Sequence, residues 1–138
     1  MTRFPHARPL AATLLSALLL AAVPAQAARW SEPEIGGLVT HRAIGEISGL
    51  AAATHFPGHY WAINDSGSPA QLHLVDGKGD YRGSVDTPGV PNRDWEDLAS
   101  FRFEGTDYLL VADIGDNGGL RRELQLYVLE QPRDLGQP

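Results

Sequence analysis

The stretches DWEDLA (94–99) and YLLVADIGDNGG (108–119) decide how the rest of this sequence is interpreted. The apolar run from Tyr108 to Ala112 lies between two acidic clusters, so one strand and its flanking loops are expected to hold several carboxylates close together. Glycines follow the second cluster and predict a turn there. The two stretches therefore predict a β-strand with a candidate ligand site at its ends.

The residues on both sides of these stretches continue the same pattern. Short apolar runs alternate with turn residues, and no long helical stripe is present, which is typical of an all-β chain. The predicted strands are 47–52, 60–64, 71–76, 81–86, 98–103, 108–112 and 124–130, with 38–41 as a further candidate. The stretch DGKGD (76–80) predicts a hairpin turn. It does not fit the helix-loop-helix calcium loop, because Lys78 and Thr87 stand at two ligand positions.

The first 27 residues have the features of a secretory signal peptide. A basic start precedes an apolar run over 10–23, which is shorter than the roughly 20 residues of a membrane span. Ala25 and Ala27 then form a small-x-small cleavage pattern. We predict a signal peptide over 1–27, a partial β-propeller domain over 28–138, and a periplasmic or extracellular product; an uncleaved membrane anchor is the alternative. The sequence has no cysteine, hence no lipid-attachment cysteine and no disulfide.

Cleavage would leave a strongly acidic chain. Without Arg3 and Arg8, nine basic residues stand against 17 acidic ones, a net charge of −8 with histidine neutral. Such a balance repels phosphate backbones and anionic lipid surfaces, and the sequence has no basic patch. We therefore expect no nucleic-acid binding and no membrane binding after cleavage. A protein, a small-molecule ligand or a cation is the expected partner.

Two segments of the chain align as copies of one repeat. EISGLA (46–51), YWAINDSG (60–67) and QLHLVD (71–76) align with EDLAS (96–100), YLLVADIG (108–115) and QLYVLE (125–130), matching Asp65 with Asp113 and Glu46 with Glu96. A repeat of about 40–50 residues made only of short strands is typical of β-propeller blades, although chance similarity among hairpins is the alternative. The chain has room for two such copies, whereas propellers close with about four to eight blades. We therefore expect an incomplete propeller, with further blades encoded after residue 138.

Seven oxygen-bearing residues near the predicted strand ends are candidate metal ligands: Asp65, Asp94, Glu96, Asp97, Asp113, Asp116 and Asn117. Corresponding loops of successive blades lie at one end of a propeller, so Asp65 and Asp113 are expected to face a common point. Calcium takes about six to eight oxygen ligands of the kinds that these loops offer. Asp and Asn in glycine-rich turns also accept hydrogen bonds from backbone N–H groups, so a turn role is the alternative.

Other residue types point to packing rather than to chemistry. Ser66 is not in the Gly-x-Ser-x-Gly pattern of α/β-hydrolases, and the histidines show no metal-binding spacing. Strand alternation directs Trp95 away from its acidic neighbours, which predicts a buried anchor with a hydrogen-bonded indole N–H. The same role is predicted for Trp61.

Four motifs in order, ISGL (47–50), WAINDSG (61–67), DWEDLA (94–99) and DIGDN (113–117), resemble a group of exported bacterial β-propeller proteins of largely unknown function. The group is similar in style to NHL-like and phytase-like propellers. The resemblance covers residues 47–130 and implies the N-terminal portion of a longer propeller, but it carries no established reaction.

Two functions remain open at this point. We expect a binding or interaction module that holds a calcium-type cation at its acidic loops. The alternative is a metal-assisted phosphoester hydrolase, in which bound ions polarise a phosphate. The hydrolase needs basic side chains beside the acids, and the nearest in sequence are Arg93, Arg121 and Arg122. Among the acids, Asp94, Asp97 and Asp116 lack counterparts in the first copy and are the expected location of function.

Overall fold

A computed structural model describes residues 31–136, which contain seven β-strands and no helix. The strands are β1 (Ile47–Ala52), β2 (His59–Asn64), β3 (Gln71–Asp76), β4 (Tyr81–Asp86), β5 (Trp95–Phe103), β6 (Thr106–Asp113) and β7 (Gln125–Glu130). The predicted signal peptide over 1–27 lies outside the described residues. Within them, no helix is long and apolar enough to span a membrane. The strand predicted at 38–41 is wrong: this segment is irregular, and Leu38 N–H donates one hydrogen bond, to the carbonyl of Lys78 (2.9 Å).

The strands form two antiparallel sheets, each ordered as in the sequence. The first sheet has the order β1-β2-β3-β4 and the second has the order β5-β6-β7. Short turns connect neighbouring strands, as at Glu104 and Gly105, where both φ angles are positive (48° and 84°) as a type I′ hairpin turn requires. The DGKGD stretch is the predicted hairpin turn, with Asp76 Oδ1 accepting from the N–H groups of Lys78 (2.8 Å) and Asp80 (3.0 Å). The fold is thus all-β and blade-like, and the two sheets do not close into a ring.

The register of the strands shows that the two sheets share the same antiparallel order for their first three strands, and it corrects the predicted alignment. Ile47 pairs with Asn64 in the first sheet, and Trp95 pairs with Asp113 in the second, each just before a β-bulge. Asp113 therefore occupies the position of Asn64, and the predicted match of Asp113 with Asp65 is wrong by one residue. The connection between the first two strands is one residue longer in the second sheet. In the first strand the predicted alignment is shifted by two residues: Glu46 corresponds to Asp94 and not to Glu96, so the prediction that Asp94 lacks a counterpart is wrong.

One apolar core lies between the two sheets. The face of the first sheet that contacts the second sheet is called the front face. The face of the second sheet in the same contact is called the back face. The front face contributes Ala51, Trp61, Ile63, Leu72 and Leu74, and the back face contributes Trp95, Leu98, Leu109 and Val111. The sheets approach so closely that a Cβ built on Gly49 would lie 2.6 Å from the Leu98 nitrogen. Glycine at this position thus sets the spacing between the sheets.

The two tryptophans anchor this core. Trp95 is fully buried and its indole N–H donates to the carbonyl of Pro91 (3.1 Å), which confirms its predicted role. Trp61 is equally buried, but its indole N–H has no hydrogen-bond partner among residues 31–136, so only its packing role is confirmed. Strand β5 begins at Trp95, earlier than the predicted residue 98, because the bulge between Trp95 and Asp97 lets pairing with β6 continue.

Candidate metal site

Three of the predicted ligands come together where β2 ends and β5 begins. Asp65 follows β2, Asp94 precedes β5, and Glu96 lies within β5. Each offers one carboxylate oxygen, and these three oxygens all lie within 4.8 Å of one another. All three residues are partly buried. We call this group the acidic cluster.

Asn92 holds the two sides of the acidic cluster together. Its side-chain amide donates to the carbonyls of Asn64 (3.1 Å) and Asp65 (3.0 Å), and its carbonyl oxygen accepts from the N–H of Trp95 (3.2 Å). One side chain thus ties the end of β2 to the start of β5. Because Asp65 and Asp94 adjoin the bonded groups, Asn92 positions one carboxylate against the other.

Gly115 provides the space that the cluster occupies. Its N–H donates to the carbonyl of Asp94 (3.1 Å), which brings the loop after β6 directly against the cluster. A Cβ built on Gly115 would lie 2.5 Å from Glu96 Oε1 and would collide with the Asp94 carboxyl group. Any larger residue would therefore displace two of the three carboxylates.

The negative charge of the acidic cluster is only partly compensated by its surroundings. The pKa of Asp94 is raised. The largest cause is a hydrogen bond between the Asp94 and Asp65 carboxyl groups, which forms only when one of them carries a proton; burial and the negative charge of Asp65 follow. The Ser66 side chain and the charge of Arg121 act in the opposite direction. The pKa of Glu96 is raised by burial and by the charges of Asp65 and Asp94. Asp94 Oδ1 is buried without a hydrogen-bond partner among the described residues.

Asp113 lies next to the cluster, but its oxygens are already used within the protein. It is fully buried and accepts from the N–H groups of Arg93 (3.3 Å) and Asp94 (3.2 Å). Arg121 Nη1 donates to it at 2.6 Å and also donates to the carbonyl of Gly115 (3.0 Å). The buried ion pair between Asp113 and Arg121 supports the backbone next to the acidic cluster. Asp113 therefore has the hydrogen-bonding role in a turn that was the alternative to metal binding.

The other three predicted ligands lie outside the cluster. Asp116 organises its own loop by accepting from the N–H groups of Leu120 (2.8 Å) and Arg121 (3.1 Å). Asp97 is exposed and accepts from the N–H of Leu98 (2.8 Å), and Asn117 is exposed. The structure thus brings together three of the seven candidates, and only Asp94 of the three acids expected to mark function.

Some residues position the three carboxylates without being candidate ligands themselves, and the sequence did not indicate them. Asn92, Ser66 and Gly115 act through contacts across the sheets, and the only signal was their position beside the acids. Arg121 was considered only as a phosphate-binding group, but Asp113 occupies its Nη1. Arg93 and Arg122 are exposed. The hydrolase alternative stays a prediction.

Comparisons of this chain with protein-family models, with characterised proteins and with solved structures give no match. The resemblance to exported propeller proteins therefore stays a prediction. The class that the fold itself defines is an all-β chain of two blade-like antiparallel sheets, with an acidic cluster at one end of their junction.

Proposed function

We propose that this chain is an exported binding module of the β-propeller type, and that its acidic cluster binds a divalent cation of the calcium type. The observation that carries the proposal is the convergence of three carboxylate oxygens within 4.8 Å. The three residues come from two different sheets and their loops, and Gly115 leaves the space into which they point.

Charge and donor chemistry support a cation of this class. A divalent ion would balance the mutual repulsion that raises the pKa values of Asp94 and Glu96. It would also give the buried, unpartnered Asp94 Oδ1 a favourable contact. Oxygen-only ligands suit calcium or magnesium, and calcium accepts flexible geometry with about six to eight oxygens, including water. The three carboxylates would supply part of that shell.

Calcium addition should raise the melting temperature of the chain. A ligand that binds only the folded state at 100 times its dissociation constant stabilises it by about 2.7 kcal/mol. We expect Asp94→Asn and Glu96→Gln to abolish most of this shift. Asp97→Asn is the matched control, because Asp97 lies on the same strand, is exposed and is not one of the three clustered carboxylates, and it should respond like the unaltered chain.

Titration calorimetry of the same variants supplies an independent readout. An equal calcium response in Asp94→Asn and in the unaltered chain, or no response in either, would refute the cation site. A larger effect of magnesium than of calcium would retain the site but exclude the calcium type. Asn92→Ala should weaken binding while leaving all three carboxylates present, which tests whether their positioning matters.

A further inference from the structure

The first sheet is covered, on the side opposite its front face, by a segment that precedes β1. We call this segment, residues 38–44, the strap. Its Ile44 is buried and packs on Ala62 and Val75 of the sheet. The strap is irregular rather than a strand, so side-chain contacts and single hydrogen bonds hold it on the sheet.

Two histidines lie where the strap meets the sheet. His41 of the strap stacks on Tyr81 of β4, with ring centroids 4.1 Å apart. His73 of β3 is buried, and its ring lies 6.2 Å from that of Tyr81. His41 and Tyr81 are the titratable groups beside His73, while β2 contributes the uncharged Asn64. The remaining charged residue of the strap, Arg42, is exposed.

The side-chain amide of Asn64 joins His73 to the strap. Its Nδ2 donates to the carbonyl of Ala43 in the strap (2.9 Å) and lies 3.4 Å from His73 Nε2. Its Oδ1 accepts from the N–H of Glu46 (3.4 Å), which fixes the orientation of the amide. Because an amide nitrogen only donates, His73 Nε2 is the acceptor and the proton of the neutral ring lies on Nδ1. That Nδ1 is buried without a hydrogen-bond partner among residues 31–136.

Protonation of His73 is incompatible with this arrangement. The new Nε2–H would face the amide N–H groups of Asn64, so two donors would meet. Rotating the amide by 180° would remove that conflict, but its Oδ1 would then face the Ala43 carbonyl and the Glu46 N–H would lose its acceptor. Both arrangements weaken the bond between the sheet and the strap. A protonated His41 would add repulsion between two cations.

We propose that the strap is an acid-sensitive cover of the first sheet, and that protonation of the buried His73 favours its release. The pKa of His73 is lowered by burial and then by the charge of His41. A group of this kind stabilises the closed state fully above its usual value of 6.5, and this stability is lost as the pH falls below 6.5. The strap is therefore closed at neutral pH, and its opening in acid uncovers Ala62 and Val75.

Hydrogen–deuterium exchange at about pH 7.5 and about pH 5.5 tests the release, with labelling times scaled to the intrinsic exchange rate at each pH. The N–H groups of Leu38 and Ile44 report on the strap, because they donate to the carbonyls of Lys78 (2.9 Å) and His41 (3.0 Å). One histidine with a pKa of 6.5 in the open state increases the opening constant over this interval by at most about tenfold. Protection of the strap should fall by up to that factor, while the amides of β6 retain theirs.

His73→Gln separates the trigger from a general loosening of the fold. Glutamine offers an oxygen that accepts from Asn64 but does not titrate, so the strap should be equally protected at both pH values. His59→Gln is the matched control, because His59 Nδ1 lies 2.9 Å from the Pro57 carbonyl, outside the strap, and it should respond like the unaltered chain. An undiminished loss of protection in His73→Gln, no loss in the unaltered chain, or an equal loss in β6 would overturn the proposal.

Nuclear magnetic resonance of the unaltered chain gives a readout that needs no variant. At neutral pH the His73 ring should show the tautomer with its proton on Nδ1, and the ring should titrate below pH 6.5. Protection of the strap should stop falling once this ring is charged. The opposite tautomer at neutral pH, or titration of His73 at or above pH 6.5, would equally refute His73 as the trigger.

Discussion

Replacing Gly49 by Ala should destabilise the fold, because Gly49 lies directly against the backbone of β5. An added Cβ would lie 2.6 Å from the Leu98 nitrogen, 2.9 Å from the Asp97 carbonyl carbon and 2.9 Å from Leu98 Cβ. Two of these contacts are with backbone, which cannot turn away as a side-chain tip can. Relief would require β5 to move, and with it the buried Trp95 and Leu98.

The size of the effect follows from two opposing contributions. Overpacking a close-packed core costs about 1–3 kcal/mol. Exchange of glycine for alanine also restricts the unfolded chain, which stabilises the fold by about 0.4–1 kcal/mol. The net loss is therefore about 1.3 kcal/mol at the middle of both ranges. Because each kcal/mol shifts the melting temperature of a domain of this size by about 4–8 °C, the variant should melt about 5–10 °C lower.

Gly45→Ala is the matched control for Gly49→Ala. A Cβ at Gly45 would have no atom within 4 Å, and its φ is not in the positive range that favours glycine. Its melting temperature should stay the same or rise slightly. Thermal unfolding followed by circular dichroism, with tryptophan fluorescence as a second probe, measures both variants. Equal melting temperatures for the two would refute the close packing of β1 against β5.

Three further perturbations test the charged and titratable groups. Without calcium, Asp94→Asn should raise the melting temperature at pH 7. The pKa of Asp94 is raised in the folded state, so the ionised carboxylate destabilises the fold above that pKa. This destabilisation disappears as the pH falls below 3.8, the usual pKa of an aspartate. A lower melting temperature in the calcium-free variant would contradict this. Arg121→Met should cost about 3–5 kcal/mol in a denaturant titration, because Asp113 would lose its buried partner, while Arg122→Met should change stability by less than about 0.5 kcal/mol. Similar midpoints for the two arginine variants would refute a structural role for the ion pair. The pKa of His73 is lowered by burial and by His41, so the folded state favours the neutral imidazole. The stability that this neutral form contributes is complete above pH 6.5, the usual histidine pKa, and is lost as the pH falls below that value. His73→Gln should flatten the pH dependence of stability just below 6.5, and an unchanged slope would argue against burial of a neutral histidine.

Local patterns predicted most of the fold. Alternation of apolar residues and turn chemistry act over a few neighbouring positions, and hairpins join neighbouring segments, so all seven strands could be located from the sequence. The start of β5 was placed too late because a bulge interrupts the alternation at Trp95. The two segments were matched, but their predicted alignment was shifted by two residues in the first strand and by one residue in the second. A single added residue in a connection leaves the residue pattern almost unchanged while it alters which positions correspond.

The sequence alone determined that the chain is all-β and acidic, and that many carboxylates lie within residues 94–119, because these properties depend on composition and local order. The tertiary structure decided which carboxylates meet. Asn92 helps to hold Asp65 beside Asp94 by tying the end of β2 to the start of β5. Asp113 and Asp116 match Asp65 in residue type, but backbone N–H groups, and in the case of Asp113 also Arg121, occupy both of their carboxylate oxygens. In Asp65, the backbone N–H of Ser66 donates to Oδ1 alone. The packing of the two sheets sets the distances between their residues and decides which donors reach each carboxylate. The spacing of residues along the sequence does not contain this information.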